Sequence, residues 1–186
     1  MFTDIRNMSK KTVLHVLLLL LAWGLYSQTP PAQPLPNGFR EIELGMSLDE
    51  VKEKLKGDSY FDYRGDPDVS LLTTPNKSVI ECAGSFFIRR AFFQFHKEEL
   101  YIIILLLDPT KIDYFTMYTT FVNKYGEPDS LNPEEALWDD GEIRLSLERP
   151  LSVKYIAMDV FNMLKKENDR EESVETFLKE RFLNEF

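Results

Sequence analysis

The chain has 186 residues, of which 44% are hydrophobic and 13% aromatic. This length and composition allow one sizeable core and exclude a disordered chain, so we expect one domain with appendages. The formal net charge of −9 has the wrong sign for a protein that binds a nucleic-acid backbone, and an acidic balance commonly serves solubility. We therefore expect no nucleic acid among its partners.

The first 27 residues have the pattern of a secretory signal peptide. Three basic residues precede an apolar run over residues 13–21, and the small residues Gly24 and Ser27 offer two cleavage sites that fit equally well. This run is short for a membrane-spanning helix, which needs ~20 apolar residues, although an uncleaved N-terminal anchor is the alternative. Residues 28–37 are rich in proline and predict an extended linker. We expect a secreted protein, periplasmic or extracellular, tethered to a membrane only if the signal is not cleaved.

The folded domain is predicted to span residues 38–161. Alternating apolar and charged residues over 39–44 predict a short strand. Ser47 and Glu50 have the spacing of a capping box, in which each side chain accepts a hydrogen bond from a backbone N–H at the start of a helix. Gly57 is predicted to end this helix in the left-handed conformation.

Residues 86–108 contain two apolar runs separated by four polar residues, and this pattern predicts a β-hairpin. The second run, residues 100–107, is apolar at every position, so the alternation of a strand places apolar side chains on both of its faces. Such a strand belongs in the middle of a sheet, and we expect both faces to be covered.

A second helix is predicted after this hairpin. Asp108 or Thr110 can cap it, and Gly126 can end it. One flank of the helix is unusually aromatic and is a candidate contact surface for a partner or ligand, formed by Tyr114, Met117, Tyr118 and Phe121. So broad an apolar surface favours packing flat on the sheet, with a ligand cleft as the alternative.

Strands are predicted again between residues 136 and 161. The Asp139 and Asp140 side chains lie at a turn between two of these strands. Turn chemistry explains them better than calcium binding, because no loop here supplies the six to eight oxygen ligands that calcium needs.

Residues 162–186 predict a C-terminal amphipathic helix. Its apolar face carries Phe177 and Phe182, which complete the set of candidate contact residues. Two roles are open for this helix. It either docks on the open face of the sheet or binds a partner protein.

Residues that could carry catalysis are sparse. His96 is the only histidine outside the predicted signal and lies in a hairpin turn, so neither a histidine-based triad nor a multi-histidine metal site can be assembled. Cys82 is the only cysteine, and its apolar neighbours favour a buried, inert thiol. Phosphate-binding and dinucleotide-binding motifs are missing. We predict no catalytic, metal-binding or cofactor-binding residues.

Residues 44–55, Leu-Gly-Met-Ser-Leu-Asp-Glu-Val-Lys-Glu-Lys-Leu, follow a predicted signal and a proline-rich segment. This arrangement resembles small exported bacterial envelope proteins of the BamE/SmpA/OmlA type, whose wider group has a fold like that of the β-lactamase inhibitory protein. Residues 121–128, Phe-Val-Asn-Lys-Tyr-Gly-Glu-Pro, are similar to the helix-ending Tyr-Gly-x-Pro of such domains. The resemblance implies a layered helix-and-sheet domain that works in a bacterial envelope by protein contact rather than catalysis.

These patterns predict an α+β fold, a two-layer sandwich in which two helices pack on one face of a mainly antiparallel sheet, with an additional C-terminal helix. The leading functional hypothesis is a non-enzymatic envelope protein that contacts another protein, as an assembly factor, adaptor or inhibitor. The alternatives are a periplasmic protein that binds a small molecule or lipid, and an envelope hydrolase that uses carboxylates. An open apolar face rimmed by charge would favour the first hypothesis, and a closed apolar pocket the second.

Overall fold

The computed structural model describes residues 32–71 and 77–183, without the side chains of a few strand residues and of most residues beyond 170. The predicted signal peptide over residues 1–27 and residues 28–31 of the predicted linker lie outside the described residues. Export of the chain therefore stays a prediction.

The described residues form three α-helices, a small two-stranded hairpin and a nine-stranded sheet. The helices are α1 (Leu48–Gly57), α2 (Tyr114–Tyr125) and α3 (Met158–Leu183). The small hairpin pairs β1 (Gly38–Phe39) with β2 (Ile42–Glu43). The strands of the large sheet are β3 (Phe61–Asp62), β4 (Val69–Leu71), β5 (Lys77–Gly84), β6 (Ile88–His96), β7 (Glu99–Leu107), β8 (Ser130–Leu131), β9 (Glu135–Asp139), β10 (Ile143–Glu148) and β11 (Ser152–Ala157).

Neighbouring strands of the large sheet are antiparallel, in the order β3-β5-β6-β7-β11-β10-β9-β8, with β4 also paired to β5. The predicted hairpin forms the centre as β6 and β7, joined at Lys97 and Glu98, which both have positive φ. Helices α1 and α2 pack on the same face of the sheet, since their residues Val51, Leu55 and Phe121 join one core. The predicted α+β sandwich with a C-terminal helix is thereby confirmed.

The core lies between this face and the two helices, and every second residue of the central strands contributes to it. Phe93 of β6 and Ile103 of β7 are fully buried there. Trp138 of β9 is 2% exposed, and its indole N–H donates a hydrogen bond to the carbonyl oxygen of Gly126 at 2.8 Å. This bond joins the end of α2 to the sheet, so it sets where the helix lies.

The predicted single strand over residues 39–44 is wrong, because the chain forms the small hairpin of β1 and β2 instead. Arg40 has a φ of 59° in its turn, which reverses the chain within two residues. The side chains still alternate, with Ile42 and Leu44 buried on the core side. The apolar pattern was therefore a reliable guide to burial but not to the path of the backbone.

Two predicted helix ends are also wrong. Gly57 is the last residue of α1 and Asp58 caps the helix in an extended conformation, so no left-handed glycine ends it. Asp113 caps α2, where its side chain accepts a hydrogen bond from the backbone N–H three residues later. Asp108 instead accepts a hydrogen bond from the backbone N–H of Thr110 at 3.0 Å and so belongs to the preceding turn. Each aspartate can cap a helix or a turn, and local sequence alone does not decide which.

Helix α3 begins at Met158, directly after β11, whereas the sequence predicts a strand as far as residue 161. Short apolar segments such as this one are ambiguous between strand and helix. Met158 and Leu164 are buried apart from the main core, while residues 165–170 are exposed. Within the described residues, none of the helices is long and apolar enough to cross a membrane.

The second face of the sheet, which we call the open face, is only partly covered. Ile102, Ile104 and Leu106 of β7 are half-buried there, so both faces of this strand are covered for the most part, the core face more completely. Long side chains of neighbouring strands shield them in part, as in the ion pair of Lys154 with Glu148 at 2.6 Å. The apolar side chains of this face are therefore largely, but not fully, shielded from water.

The last residues of the predicted linker pack on the domain. The backbone N–H of Gln33 donates a hydrogen bond to the carbonyl oxygen of Lys124 at 2.7 Å, and Leu35 is half-buried against the core. The backbone N–H of Leu44 donates to the carbonyl oxygen of Asn37 at 2.8 Å. The packed part of the described chain therefore begins at residue 33.

We expect Ser47→Ala to lower the free energy of unfolding by about 1 kcal/mol, because it removes the cap of α1. The Glu50 N–H donates to Ser47 Oγ at 3.3 Å, and the Ser47 N–H donates to the Glu50 carboxylate at 2.8 Å. Urea unfolding of the full chain, followed by circular dichroism, measures the loss. The control is Ser59→Ala, an exposed serine in the next loop, for which we expect a change within ~0.5 kcal/mol. Equal losses in the two variants would contradict the capping role.

Candidate functional site

The four residues predicted on the aromatic flank of α2 separate into two pairs. Tyr114 and Tyr118 are half-buried, and their rings stack with centroids 6.5 Å apart. Met117 is half-buried against the core, and Phe121 is 7% exposed within it. Of these four residues, Tyr114 and Tyr118 are the two that line the groove described below.

Phe177 and Phe182, the other predicted contact residues, belong to the last turns of α3. Their side chains lie outside the described residues. Their part in binding stays a prediction.

Exposed large hydrophobic side chains of the described residues concentrate at one end of the sheet. Phe86 is 57% exposed, Phe87 47%, Phe115 72% and Leu131 59%. They lie at the same end because Phe86 and Phe87 directly precede β6, whose first residue pairs with the last residue of β7, while α2 starts shortly after β7. Phe115 and Leu131 line one groove there, whereas Phe86 and Phe87 lie several strands away across the sheet. Leu131 ends β8 at the same end of the sheet. We call these four residues the apolar end.

Sequence reasoning missed the apolar end. Phe86 and Phe87 have the pattern of the first residues of a strand, and Phe115 has the spacing of a core residue on α2. Their exposure follows from where the elements begin, since β6 starts at residue 88 and Asp113 caps α2. The cap is a signal that could have identified Phe115 as a residue of the exposed first turn.

The turn before β6 holds Phe86 at the surface. Its φ of 58° lies in the left-handed region, which costs a residue other than glycine about 1–2 kcal/mol. Lys111 Nζ donates to the carbonyl oxygen of Phe86 at 2.7 Å, and the Asp108 N–H donates to that of Phe87 at 2.8 Å. The Phe86 ring contacts Tyr60 at a centroid distance of 5.2 Å. These contacts maintain a conformation that exposes an aromatic ring.

A groove of about 550 Å³ opens beside the apolar end, between the start of α2 and the turn that joins β10 to β11. It is an open trough rather than an enclosed cavity. Its walls are mostly aromatic or aliphatic, with one cationic and one acidic side chain, and include Tyr114, Phe115, Tyr118, Leu131, Arg149 and Asp113. The groove thus combines apolar contact area with one accessible positive charge.

Arg149 has a fixed position at this groove. Its guanidinium carbon lies 4.1 Å from the centroid of the Tyr114 ring, a cation–π contact, and its Nε donates to the carbonyl oxygen of Pro133 at 2.9 Å. Within the described part of the chain, no carboxylate lies within ion-pair distance of Arg149, whereas four other arginines there each bind a carboxylate. Arg149 is also exposed, so its remaining N–H groups can be reached from the groove.

The acidic side chain of the groove is turned toward its own helix. The Asp113 carboxylate accepts hydrogen bonds from the N–H and Oγ1 of Thr116 at 2.9 and 2.8 Å, and these bonds hold the pKa of Asp113 below its usual range. Burial raises the pKa of Tyr114 against the opposing effect of the Arg149 charge, so its hydroxyl stays protonated and donates to the carbonyl oxygen of Leu147 at 3.3 Å. At neutral pH the groove therefore carries both charges, with Asp113 bound to the start of its own helix and Arg149 without an ion pair among the described residues.

The open face is a second surface that a partner could use. Ion pairs flank its apolar row, joining Arg90 to Glu81 and Lys154 to Glu148. Its apolar side chains are only half-exposed, in contrast to those of the apolar end, which are 47% exposed or more. The apolar end is therefore the stronger candidate for a contact surface.

Several acidic and thiol groups of the described residues serve the fold. Burial raises the pKa of the Cys82 thiol to about 12, so the thiol is neutral near pH 7. Asp139 and Asp140 accept hydrogen bonds from the backbone of their own turn, which confirms the turn interpretation. Among the described residues, no group of three or more His, Cys, Asp or Glu side chains could hold a metal ion.

The fold and these surfaces define an antiparallel α+β sandwich with an apolar end and an open groove beside it. The sequence profile of the TP0088 domain family matches residues 37–167, which is more than half of the chain, and the protein belongs to this family. The matched region extends from the residue before β1 into the first half of α3. No curated protein and no solved structure matches the chain.

Proposed function

We propose that this TP0088-family protein is exported and acts in a bacterial envelope by contact with another protein, as an assembly factor, adaptor or inhibitor, without catalysing a reaction. The resemblance of residues 44–55 and 121–128 to envelope proteins of the BamE/SmpA/OmlA type supports the proposal. The basic, apolar and small-residue pattern of residues 1–27 supports export.

The observation that carries this proposal is the apolar end. Its four side chains, three of them phenylalanines, are 47–72% exposed and lie at one end of the sheet. Exposed large apolar side chains concentrated in one region are typical of interaction sites, and aromatic residues are enriched in the cores of protein interfaces. The left-handed conformation of Phe86 costs conformational free energy, and a role of the exposed Phe86 ring in contacting another protein would explain why the chain adopts it.

Site-specific photo-crosslinking in cells tests the contact. A photoreactive amino acid replaces Phe115 or Leu131 at the apolar end, or Glu53 or Lys166 at exposed control positions on α1 and α3. We expect a discrete adduct of higher mass from the first two positions and none from the controls. The same adducts from all four positions, or none from the apolar end, would contradict the proposed contact.

Cell fractionation and N-terminal sequencing test the export. We expect a mature chain outside the cytoplasm that begins directly after Gly24 or Ser27, because these are the two predicted cleavage sites. A full-length chain held in the membrane fraction would favour the uncleaved anchor. Recovery only from the cytoplasm would overturn the export proposal.

Binding of a small molecule or lipid is the second candidate function, and the groove favours it because about 550 Å³ lies within the range of ligand sites. Native mass spectrometry of the full chain purified from its host compares the two functions. If the protein acts by protein contact, we expect the measured mass to equal that of the chain without a bound ligand. A co-purified ligand that Tyr118→Ala releases would favour the second function.

A further inference from the structure

We propose that the groove beside α2 binds a peptide segment of the partner protein in which a carboxylate lies next to an apolar side chain, and that Arg149 binds this carboxylate. The inference rests on the proposed function and specifies the chemistry of the partner. Its basis is the combination of an oriented guanidinium with exposed apolar residues at the rim of one groove.

Arg149 is prepared to bind an anion because its orientation is already set. Its contact with the Tyr114 ring at 4.1 Å and the hydrogen bond from its Nε to Pro133 at 2.9 Å restrict the side chain before a partner arrives. The terminal amino groups of a guanidinium form charge-assisted hydrogen bonds with carboxylates. A group that is already oriented loses less conformational entropy on binding.

The charges around the groove favour a carboxylate as the group that Arg149 binds. Within the described residues no carboxylate is paired with Arg149, although the whole chain carries a formal charge of −9. Asp113, the nearest acidic residue in the groove wall, is held by hydrogen bonds from Thr116. The carboxylate of a partner could therefore bind Arg149 without breaking an existing ion pair, while Asp113 is directed toward its own helix.

The shape of the groove favours a peptide segment over a small molecule. Small-molecule sites bury most of the ligand surface, whereas this groove is an open trough. Phe115 and Leu131 stand at its rim, 72% and 59% exposed. An extended segment across the groove would cover both side chains and still reach Arg149, and apolar contacts around a desolvated charge pair are typical of strong protein interfaces.

Selection of displayed random peptides on the immobilised full chain tests the proposal. We expect the wild type to enrich Asp or Glu next to large apolar residues. Arg149→Met keeps a long apolar side chain without the charge. Peptides selected on this variant should still be enriched in large apolar residues but no longer in Asp or Glu. Arg149→Glu should enrich Lys or Arg at the same peptide position. The proposal would be overturned if peptides selected on the wild type show no enrichment of Asp or Glu. It would also be overturned if peptides selected on Arg149→Met are enriched in Asp or Glu as strongly as those selected on the wild type.

Fluorescence anisotropy with the most enriched wild-type peptide gives the size of the effect. We expect the Kd to rise about tenfold or more in Arg149→Met, the factor typical of one lost hydrogen bond to a charged group. Octanoate, a carboxylate with an apolar tail, serves as competitor. Stronger binding of octanoate than of the peptide would overturn the choice of a peptide. Equal urea midpoints for the wild type and the Arg149 variants establish that the variants are folded.

The photo-crosslinks at Phe115 separate a failure of this inference from a failure of the proposed function. One outcome is that the adduct persists in the Arg149→Met chain while the peptide selection on the wild type shows no acidic preference. In that case the protein contact stands and the role of Arg149 is refuted. If the wild-type chain forms no adduct at the apolar end, the proposed function itself fails.

Discussion

Replacing Trp138 by alanine is expected to lower the free energy of unfolding by about 3–5 kcal/mol. The side chain is 2% exposed and meets the Phe121 ring edge-on at a centroid distance of 5.6 Å. Its removal leaves a cavity between β9 and α2 and breaks the hydrogen bond to Gly126. A loss of this size is a large fraction of the roughly 5–15 kcal/mol that stabilises a typical domain.

Two further variants separate the contributions of Trp138. Trp138→Phe keeps most of the ring and loses the N–H, so the carbonyl of Gly126 loses its donor, and we expect a cost of about 1–2 kcal/mol. Leu137→Ala is the matched control, because Leu137 is the neighbouring residue on the opposite face of β9 and is half-exposed. Urea unfolding followed by circular dichroism measures all three variants. A loss in Leu137→Ala as large as that in Trp138→Ala would contradict the placement of the core.

Replacing Arg64 by alanine is expected to cost about 1–3 kcal/mol near neutral pH, because it leaves a buried carboxylate short of partners. The Asp68 side chain is fully buried and accepts hydrogen bonds from the Nε and the backbone N–H of Arg64, each at 2.8 Å. Only the backbone bond survives in the variant. The Arg64 side chain is 68% exposed, so solvent screening keeps the loss below that of a fully buried ion pair.

The effect of Arg64→Ala is expected to depend on pH. Burial raises the pKa of Asp68, but the hydrogen bonds and charge of Arg64 outweigh this and hold the pKa below its usual value. A lowered pKa in the folded state stabilises the protein above the unfolded-state pKa of about 3.9, and this stabilisation is lost as pH falls through the folded-state pKa. The difference between wild type and variant should therefore shrink from pH 7 toward pH 3 and below.

Urea unfolding at several pH values measures this difference. The control is Arg90→Ala, which breaks the ion pair between Arg90 and Glu81. The side chain of Arg90 is 54% exposed and that of Glu81 is 46% exposed. Exposed pairs contribute little, so we expect a loss within ~1 kcal/mol for the control. A loss in Arg64→Ala that stays constant from neutral to acidic pH would refute the role of the Asp68 charge.

The sequence predicted the parts of this fold that depend on neighbouring residues. The capping box of Ser47 and Glu50 is confirmed, because both hydrogen bonds lie within one turn of the chain. The central hairpin is confirmed as well, since its two apolar runs and polar turn have the period of strands. The α+β class followed from the order of such elements.

The candidate site was predictable only in part. Tyr114 and Tyr118 were identified as aromatic residues on α2 and do line the groove. Phe115, Leu131 and Arg149 were not, because they come from three separate segments and their exposure depends on which strands become neighbours. Spacing along a helix also could not show that Phe121 lies in the core.

The sequence by itself determined where most strands and helices form and which side chains avoid water, since these depend on local hydrogen bonds and on the periodicity of apolar residues. Only the tertiary structure decided that α3 begins at Met158, that the open face stays partly exposed, and that Arg149 lies on the Tyr114 ring. Each of these depends on which surfaces distant segments bury together. Burial against distant segments is a property of the whole packing, and no short stretch of sequence contains it.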